Sequence, residues 1–236
     1  MIIANNITKQ FGRLKALDNV SVTCNKEECI ALVGPNGSGK TTLIKSILGM
    51  VVPDSGFITF NGNNILHHWN YRSRIGYMPQ IGRYPDNMTI GQVLDMMKDI
   101  RHETKAIDED LINIFQLQPL YKKRMRTLSG GTRQKVSACI AFLFDPEVLI
   151  LDEPTAGLDP VASEQLKDKI NQEKKKGKLV MITSHVLSEL DDLVTQVVYM
   201  QDGVLRFHKP IEEIRRDTGE KKLARAIAHY MQYPSR

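Results

Sequence analysis

Three short runs of consecutive apolar residues stand out along this chain: Cys29–Val33, Val148–Leu151 and Leu179–Ile182. Each run has the length of a β-strand and lacks the polar alternation of a strand with one face in water. Such strands are typical of parallel sheets that helices cover on both faces. Helical patterns follow two of the runs, with apolar positions on one face of Leu43–Leu48 and a polar helix at Ser163–Lys176. The pattern predicts an α/β fold with a mainly parallel sheet.

The beginning of the chain has a different pattern, because apolar and polar residues alternate there. Alternation with a period of two predicts short antiparallel strands, which we assign to an N-terminal antiparallel β subdomain. Another strand is predicted at Phe57–Phe60. Near the other end, Val197–Met200 and Val204–Phe207 flank a short polar turn and predict a hairpin.

Apolar spacing becomes helical between about residues 89 and 137, which predicts an inserted α-helical subdomain. The segment Ile211–Met231 has the pattern of one amphipathic helix, so residues from about 211 to 236 are interpreted as a C-terminal helix. We therefore predict a single domain, residues 1–236, in which these two parts are added to the parallel sheet.

Composition is that of a soluble globular protein, with 42% hydrophobic and 25% charged residues. The apolar runs are far shorter than the roughly 18–20 residues that a bilayer span needs. The first residues lack the basic region and apolar core of a secretory signal. We therefore expect a cytoplasmic protein that reaches a membrane only through other subunits.

The net charge of +5 comes with short basic runs and only 6% aromatic residues. Nucleic-acid binding would require clustered basic residues with interleaved aromatics, so no nucleic-acid partner is predicted. Attraction to anionic lipid stays open. Cys24 and Cys29 flank four polar residues that predict a hairpin turn. Two reduced strand thiols are favoured there over a site for a soft metal, because no other ligands lie nearby.

Candidate chemistry begins directly after the first buried run, where a glycine-rich loop leads into a helix. The segment is Gly34-Pro35-Asn36-Gly37-Ser38-Gly39-Lys40-Thr41-Thr42. It matches the P-loop pattern, in which loop N–H groups and the helix N-terminus surround phosphates. Lys40 supplies a charge to the outer phosphates, and the Thr41 hydroxyl is a hard ligand for Mg²⁺. We therefore predict a P-loop NTPase core that binds ATP and Mg²⁺.

Two carboxylates, Asp152 and Glu153, follow the second buried run. Ligands of α/β proteins bind at the carboxyl ends of such strands. Asp152 can hold Mg²⁺ through water, and Glu153 can act as the general base toward the attacking water. Adjacent carboxylates could instead cap a helix, but the P-loop in the same chain favours the catalytic interpretation.

Ser129, Gly130 and Gly131 precede another predicted helix and form a second candidate anion-binding terminus. A serine that merely caps the helix is the alternative. The chain thus has one P-loop but two candidate phosphate-binding helix starts, and spacing alone leaves both interpretations of the second one open.

These motifs together resemble the nucleotide-binding domain of the ABC ATPase family, and the resemblance covers most of the chain. It implies that the Leu128–Gly131 segment of one protomer caps the γ-phosphate held by the P-loop of a partner, so that two ATP molecules lie between two chains. Thr132 departs from the family, which most often has glutamine there, and we expect altered interface detail rather than lost activity.

Four further positions carry the resemblance. Gln80 matches the glutamine that touches Mg²⁺ and water, and Asp159 lies in the loop that crosses the dimer interface. His185 matches the histidine that contacts the γ-phosphate, which makes it a catalytic candidate with Glu153 and Lys40. Phe11 matches the aromatic residue under adenine. The alternatives are a loop amide for Gln80, a helix cap for His185 and a core residue for Phe11.

The resemblance implies an ATP-hydrolysing subunit that powers separate transmembrane permease subunits by closure of a homodimer. The permease would dock beside Ile81–Asn87 and the helix start at Met88–Ile90. A non-transport ABC ATPase acting on a soluble assembly partner is the alternative. A P-loop kinase is disfavoured by the segment Ser129–Gly131. Residues Leu128–Phe144 are also similar to the ATPase of the copper-processing (Nos-type) system that matures nitrous oxide reductase, whereas His67-His68-Trp69 is interpreted as a surface turn.

Overall fold

The computed structural model describes residues 1–101 and 107–232. Its strands in chain order are β1 (Ile2–Phe11), β2 (Leu14–Cys24), β3 (Cys29–Val33), β4 (Ser55–Phe60), β5 (Asn63–Asn64), β6 (Ile75–Met78), β7 (Val148–Asp152), β8 (Leu179–Thr183), β9 (Gln196–Gln201) and β10 (Val204–Pro210). Its α-helices are α1 (Lys40–Ile47), α2 (Ile90–Arg101), α3 (Asp110–Ile114), α4 (Gly130–Phe142), α5 (Pro160–Lys175), α6 (Ile211–Thr218) and α7 (Leu223–Gln232). Short 3₁₀ helices occupy Asn70–Arg74, Gln118–Leu120, Met125–Thr127 and Leu187–Leu190.

Two sheets form the framework. An antiparallel sheet has the order β2-β1-β4-β5, and a six-stranded sheet has the order β10-β9-β3-β8-β7-β6. Neighbours from β9 to β6 are parallel, and only the β9–β10 hairpin is antiparallel within the second sheet. This arrangement confirms the predicted fold class, including the N-terminal antiparallel sheet and the hairpin. Strand β6 is an addition, because the sequence pattern did not predict it.

The central strands are buried on both faces, as their unbroken apolar runs indicated. Every residue of β3, β7 and β8 is buried. Alternate side chains of β3 enter different cores: Ile30 and Leu32 join α1 and the antiparallel sheet, whereas Ala31 joins the helices α2 to α7 on the other face. The sheet is therefore the middle layer, and its carboxyl edge is the place where loops from both layers meet.

The predicted helical insertion contains α2, α3 and the beginning of α4, with two 3₁₀ turns between α3 and α4. Helix α4 continues past residue 137 to Phe142 and packs against β6. Close packing is possible because Gly76 in β6 has no side chain: a Cβ there would lie 2.0 Å from the carbonyl oxygen of Ala141. In the parts of the chain that the structure describes, no helix is long and apolar enough to span a bilayer.

Two expectations about local structure were wrong. The single helix at Ile211–Met231 is two helices, because Gly219 adopts a left-handed conformation with φ 71° and ends α6. The hairpin between Cys24 and Cys29 does not exist, because β2 belongs to the antiparallel sheet and β3 to the parallel one. Burial raises the pKa of both thiols to about 12, so these cysteines are protonated strand residues at neutral pH.

Candidate functional site

The glycine-rich loop between β3 and α1 turns in a space that excludes side chains. Gly39, directly before α1, has φ 101°, and a Cβ there would lie 2.5 Å from the carbonyl oxygen of Ala16. At Gly34, with φ 153°, a Cβ would lie 2.1 Å from the carbonyl oxygen of Met200. Glycine is needed at both positions, because backbone atoms occupy the space. No side chain from the described residues caps α1, so its first N–H groups are available to an anion.

The ammonium group of Lys40 is held above this loop by backbone carbonyls. Its Nζ donates to the carbonyl oxygens of Gly34 at 2.7 Å and Pro35 at 3.0 Å. Burial lowers the pKa of Lys40, and the nearby charges of Asp152 and Glu153 oppose that effect. A cation whose direct partners are neutral carbonyls retains its charge for an anionic ligand.

Ser38 provides an independent indication of the ligand. Its hydroxyl is buried and, among residues 1–101 and 107–232, has no hydrogen-bond partner. A buried polar atom without a partner costs free energy unless a ligand satisfies it. The hydroxyl belongs to the same loop as Lys40, so a phosphate oxygen would satisfy the hydroxyl and neutralise the ammonium together. The loop therefore fits a phosphate group.

The carboxylates at the end of β7 are fixed by Thr183, the last residue of the neighbouring strand β8. The Thr183 hydroxyl donates to Asp152 Oδ1, and the backbone N–H of Glu153 donates to the Thr183 carbonyl oxygen at 3.1 Å. Glu153 has φ 52°, a left-handed conformation that is uncommon for a residue with a side chain. Such backbone conformations persist where surrounding contacts hold them, often at functional sites. Sequence analysis did not assign this role to Thr183.

His185 and Glu153 contact each other directly. His185 Nε2 lies 2.6 Å from Glu153 Oε1, and the histidine side chain is 50% exposed whereas that of Glu153 is 17% exposed. The Nε2–H of either protonation state of the imidazole can donate to this carboxylate. The pair therefore places a carboxylate within hydrogen-bonding distance of an imidazole, an arrangement that sequence analysis did not foresee.

These groups surround one cavity of about 430 Å³. Gln80, which follows β6, lies in its wall, as does Phe11. Phe11 is 49% exposed, which excludes the alternative that it is a core residue. Leu14 and Ala16 were not predicted, and their apolar side chains could have been identified by their position in the strand that follows Phe11. The complete lining is Phe11, Leu14, Ala16, Asn36, Gly37, Ser38, Gly39, Lys40, Thr41, Thr42, Gln80, Asp152, Glu153 and His185.

Six predicted site residues lie outside the walls of this cavity: Gly34 and Pro35, whose carbonyl oxygens accept from Lys40, and Ser129, Gly130, Gly131 and Asp159. The Ser129 hydroxyl accepts from the N–H of Thr132 at 3.2 Å, so the serine does cap α4. Asp159 caps α5 by accepting from the N–H of Ala162 at 2.9 Å. Ser129, Gly130 and Asp159 are exposed, so a second molecule can reach them in spite of these caps.

Contacts within the chain connect this outer group of residues to the cavity. Lys135 of α4 donates to Asp159 Oδ2 at 2.8 Å. Gln134, buried on the same helix, donates to the carbonyl oxygen of Glu153 at 3.3 Å. The Thr132 hydroxyl lies 2.9 Å from that of Ser129, so the side chain that departs from the family pattern contacts the predicted interface serine. Sequence analysis did not identify Gln134, because its partner lies 19 residues away.

A larger groove of about 630 Å³ lies on another face and includes His67, His68 and Trp69. All three side chains are exposed, and His67 has φ 62°, which is consistent with the predicted surface turn. Among the described residues, no group of three or more His, Cys, Asp or Glu side chains could hold a metal ion. The groove lacks the combination of loop N–H groups, ammonium and carboxylates that the smaller cavity has.

Comparison with known proteins decides the family. The sequence model described as "ABC transporter" matches residues 17–156. The chain belongs to the ABC transporter family. This ABC ATPase is 31% identical to the uncharacterized ABC transporter ATP-binding protein YhaQ of Bacillus subtilis, over 94% of this chain and 76% of the relative. It is also 31% identical to the Nod factor export ATP-binding protein I of Burkholderia lata, over 84% of this chain and 67% of the relative.

Other similarities fit the same family. Human phospholipid-transporting ATPase ABCA3 is 37% identical over 84% of this chain, which spans 12% of that longer protein. A solved ATP-binding subunit of an ABC transporter superposes with a TM-score of 0.88 at 25% identity, covering 98% of this chain and 99% of the other. A dimeric ATP-binding cassette bound to ADP and Pi has the same fold, with a TM-score of 0.80 at 21% identity over 89% of this chain and 98% of the other.

Proposed function

We propose that this ABC ATPase binds ATP with Mg²⁺ at the Lys40 cavity, hydrolyses it within a closed homodimer and thereby drives separate membrane subunits. The observation that carries the proposal is the contact of Glu153 with His185 in the same cavity as Lys40 and the Ser38 hydroxyl, which has no hydrogen-bond partner among the described residues. This arrangement offers phosphate binding and a base for water within one space. Phe11, in the wall of the cavity, offers an exposed aromatic ring to the adenine ring of ATP.

The residues present fit Mg²⁺. Thr41, Gln80 and Asp152 supply hydroxyl, amide and carboxylate oxygens to the cavity, and these are the ligand types that Mg²⁺ prefers. The Thr183 hydroxyl engages one oxygen of Asp152, which orients the carboxylate. When bound, Mg²⁺ would neutralise charge on the β- and γ-phosphates.

The proposed reaction converts ATP and water to ADP and inorganic phosphate. Lys40 and the N–H groups at the start of α1 hold the phosphates and stabilise the charge that develops on them. Glu153 orients the attacking water and accepts its proton. His185 donates a hydrogen bond to the Glu153 carboxylate and restricts its position. Phosphoryl transfer depends mainly on such positioning and charge neutralisation.

We assign Ser129, Gly130 and Gly131 to the cavity of a second copy, where the start of α4 would approach the γ-phosphate. Asp159 would contribute from the same exposed region. The surface positions of Ser129, Gly130 and Asp159 support this assignment, because within one chain they lie outside the cavity. ATP binding would therefore favour closure of two chains, and hydrolysis would favour reopening.

The deciding experiment is ATP hydrolysis by the purified chain at increasing protein concentration, together with Glu153→Gln. We expect turnover per chain to rise with concentration. Glu153→Gln should lower turnover about 10²–10⁴-fold, the range for a positioned general base. ATP binding should persist in this variant and stabilise a dimer.

Glu164→Gln, on the exposed side of α5, is the matched control and should turn over ATP like the wild type. Normal hydrolysis by Glu153→Gln would exclude the proposed base. Turnover that is independent of concentration, from a chain that stays monomeric, would exclude the shared site.

A membrane partner is supported by the export and transport functions in the names of relatives. Docking is expected beside residues 81–90, where the Ile81 side chain is 66% exposed. Co-purification with membranes would favour a permease, and co-purification with a soluble scaffold would favour the assembly ATPase. A Nos-type cargo system remains a prediction that rests on the resemblance of Leu128–Phe144 alone.

A further inference from the structure

Residues 184–195 connect β8 to β9, and His185 lies near the start of this connection. We call these residues the switch segment. Half of the His185 side chain is exposed, so packing against neighbours does not by itself fix its position. Its distance of 2.6 Å from Glu153 nevertheless requires a defined location. The contacts that hold the switch segment therefore determine whether the two groups stay together.

The C-terminal helices hold the far part of the switch segment. Asp191 accepts a hydrogen bond from the N–H of Leu223, the first residue of α7, at 2.7 Å. Arg215 of α6 lies 3.6 Å from the same carboxylate. Leu190 and Leu193 are buried in the core cluster that contains both helices. This end of the segment is therefore anchored to the body of the domain, at a distance in sequence from His185.

The packing of Leu187 against the core and one polar side-chain pair hold the part nearer to His185. The Thr155 hydroxyl donates to the Glu189 carboxylate, and both residues are partly buried. Thr155 follows Glu153 by two positions, and Glu189 follows His185 by four. The segments that follow β7 and β8 are thus joined by two side-chain contacts, Glu153 with His185 and Thr155 with Glu189.

Thr155 also begins the loop that leads to Asp159. The N–H of Leu158 donates to the Thr155 carbonyl oxygen at 3.1 Å, which closes a turn within this loop. Lys135 fixes the other end of the loop through Asp159. The Thr155 hydroxyl therefore provides a polar link from this exposed loop to the switch segment of the same chain.

We propose that Thr155 and Glu189 form a positioning pair that keeps His185 in contact with Glu153 and makes this contact responsive to the loop ending at Asp159. Neither residue lines the cavity, so the pair acts through other side chains. The inference rests on the proposed hydrolysis by Glu153 and names the device that aligns its histidine. A second chain that contacts the loop from Thr155 to Asp159 would thereby alter the alignment of His185 with Glu153.

The test compares Thr155→Val, Glu189→Ala and the double variant with the wild type. We expect kcat to fall about fivefold in each single variant, with KM for ATP unchanged, a size within the range for contacting pairs. The double variant should lose no more than either single variant, because both remove the same hydrogen bond. Thr155→Ser retains the hydroxyl and should keep wild-type kcat. Glu164→Ala is the matched control, since it removes a glutamate from an exposed pair.

Hydrogen exchange of the nucleotide-free chain tests the pair without any turnover. Residues 184–189 should exchange faster in Thr155→Val and Glu189→Ala, whereas residues 190–195 should stay protected, because this part is anchored to the core and to the C-terminal helices. If the wild type does not hydrolyse ATP, the proposed function fails, and this exchange experiment still decides the pair. Unchanged exchange, additive losses in the double variant, or an equal loss in Thr155→Ser would overturn the proposal.

Discussion

Two lysines of this domain have opposite surroundings, since carboxylates contact Lys169 and backbone carbonyls contact Lys40. Lys169 of α5 is fully buried, and its Nζ lies 2.6 Å from Asp108 Oδ2, 2.8 Å from Asp110 Oδ2 and 3.3 Å from Glu173 Oε1. Burial by itself would lower the pKa of Lys169, but these partners raise it. At Lys40, burial prevails and the pKa is lowered.

The difference separates charges that serve the fold from charges that serve a ligand. The Lys169 network joins α5 to the residues around the start of α3, and its buried member Glu173 also forms ion pairs with Lys176 and Lys178. Lys40 is held by two neutral carbonyls, and the neighbouring Ser38 hydroxyl has no partner in the described part of the chain. Buried charges with complete internal partners indicate structure, and incomplete ones indicate binding.

The largest expected effect follows from removing each ammonium in turn. Lys169→Met leaves the buried Glu173 and the partly buried Asp108 without this cation, and we expect it to lower the free energy of unfolding by about 3–5 kcal/mol. Lys40→Met should change the free energy of unfolding by less than about 0.5 kcal/mol and abolish tight ATP binding. Denaturant unfolding and ATP titration of both variants measure the contrast. Equal losses of stability in Lys169→Met and Lys40→Met would refute the distinction between a structural and a ligand-binding lysine.

Acid should weaken the network through Glu173. Burial by itself would raise the pKa of Glu173, but Lys176 and Lys178 lower it from 4.5 to about 2. Because the folded pKa lies below the unfolded one, this carboxylate stabilises the fold fully above pH 4.5. The stabilisation, about 3 kcal/mol, is lost as pH falls from 4.5 toward 2.

The measurement is the free energy of unfolding of wild type and Glu173→Gln at a series of pH values. The difference between the two proteins should be largest at neutral pH and should shrink below pH 4.5. Glu164→Gln, on the same helix, should follow the wild-type pH dependence. A constant difference between wild type and Glu173→Gln across this range would contradict the assignment.

The same comparison shows what sequence could and could not predict. The P-loop, the buried strands and the Asp152–Glu153 pair were predictable, because adjacent residues define them. The Lys169 network was not, since Asp108 lies 61 residues away. The contact of Thr183 with Asp152 also depends on which strands pair, and local pattern does not specify that.

The local errors have similar causes. Cys24 and Cys29 look like hairpin neighbours because a short polar turn separates two apolar strands, but strand partners are chosen by the whole sheet. Strand β6 was missed because its four residues include Gly76, which weakens a strand pattern and here permits contact with α4. The break between α6 and α7 at Gly219 could have been predicted from the sequence, since glycine commonly ends a helix.

The smallest expected effect separates two neighbouring glycines at the start of α4. A Cβ at Gly131 would lie 2.7 Å from the carbonyl oxygen of Gly157, whereas one at Gly130 would meet nothing within 4 Å. Gly131→Ala should therefore lower the free energy of unfolding of the nucleotide-free chain by about 1–2 kcal/mol. Gly130→Ala, the matched control, should not lower it, because alanine favours helix. Equal destabilisation would show that the close approach to Gly157 is unimportant.

The pairing of Asp152 with Thr183 across β7 and β8 has a consequence for how the chain reaches its folded state. Both strands are otherwise apolar and buried on two faces, so sliding one past the other would exchange similar side chains. Their polar ends distinguish the correct alignment from its neighbours, because Thr183 satisfies both the Asp152 carboxylate and the N–H of Glu153. A chain that folded one residue out of alignment could keep its core but would lose the contacts that hold Asp152 and the proposed base Glu153. Under the proposed function, Thr183 would thus couple accuracy of folding to competence for catalysis.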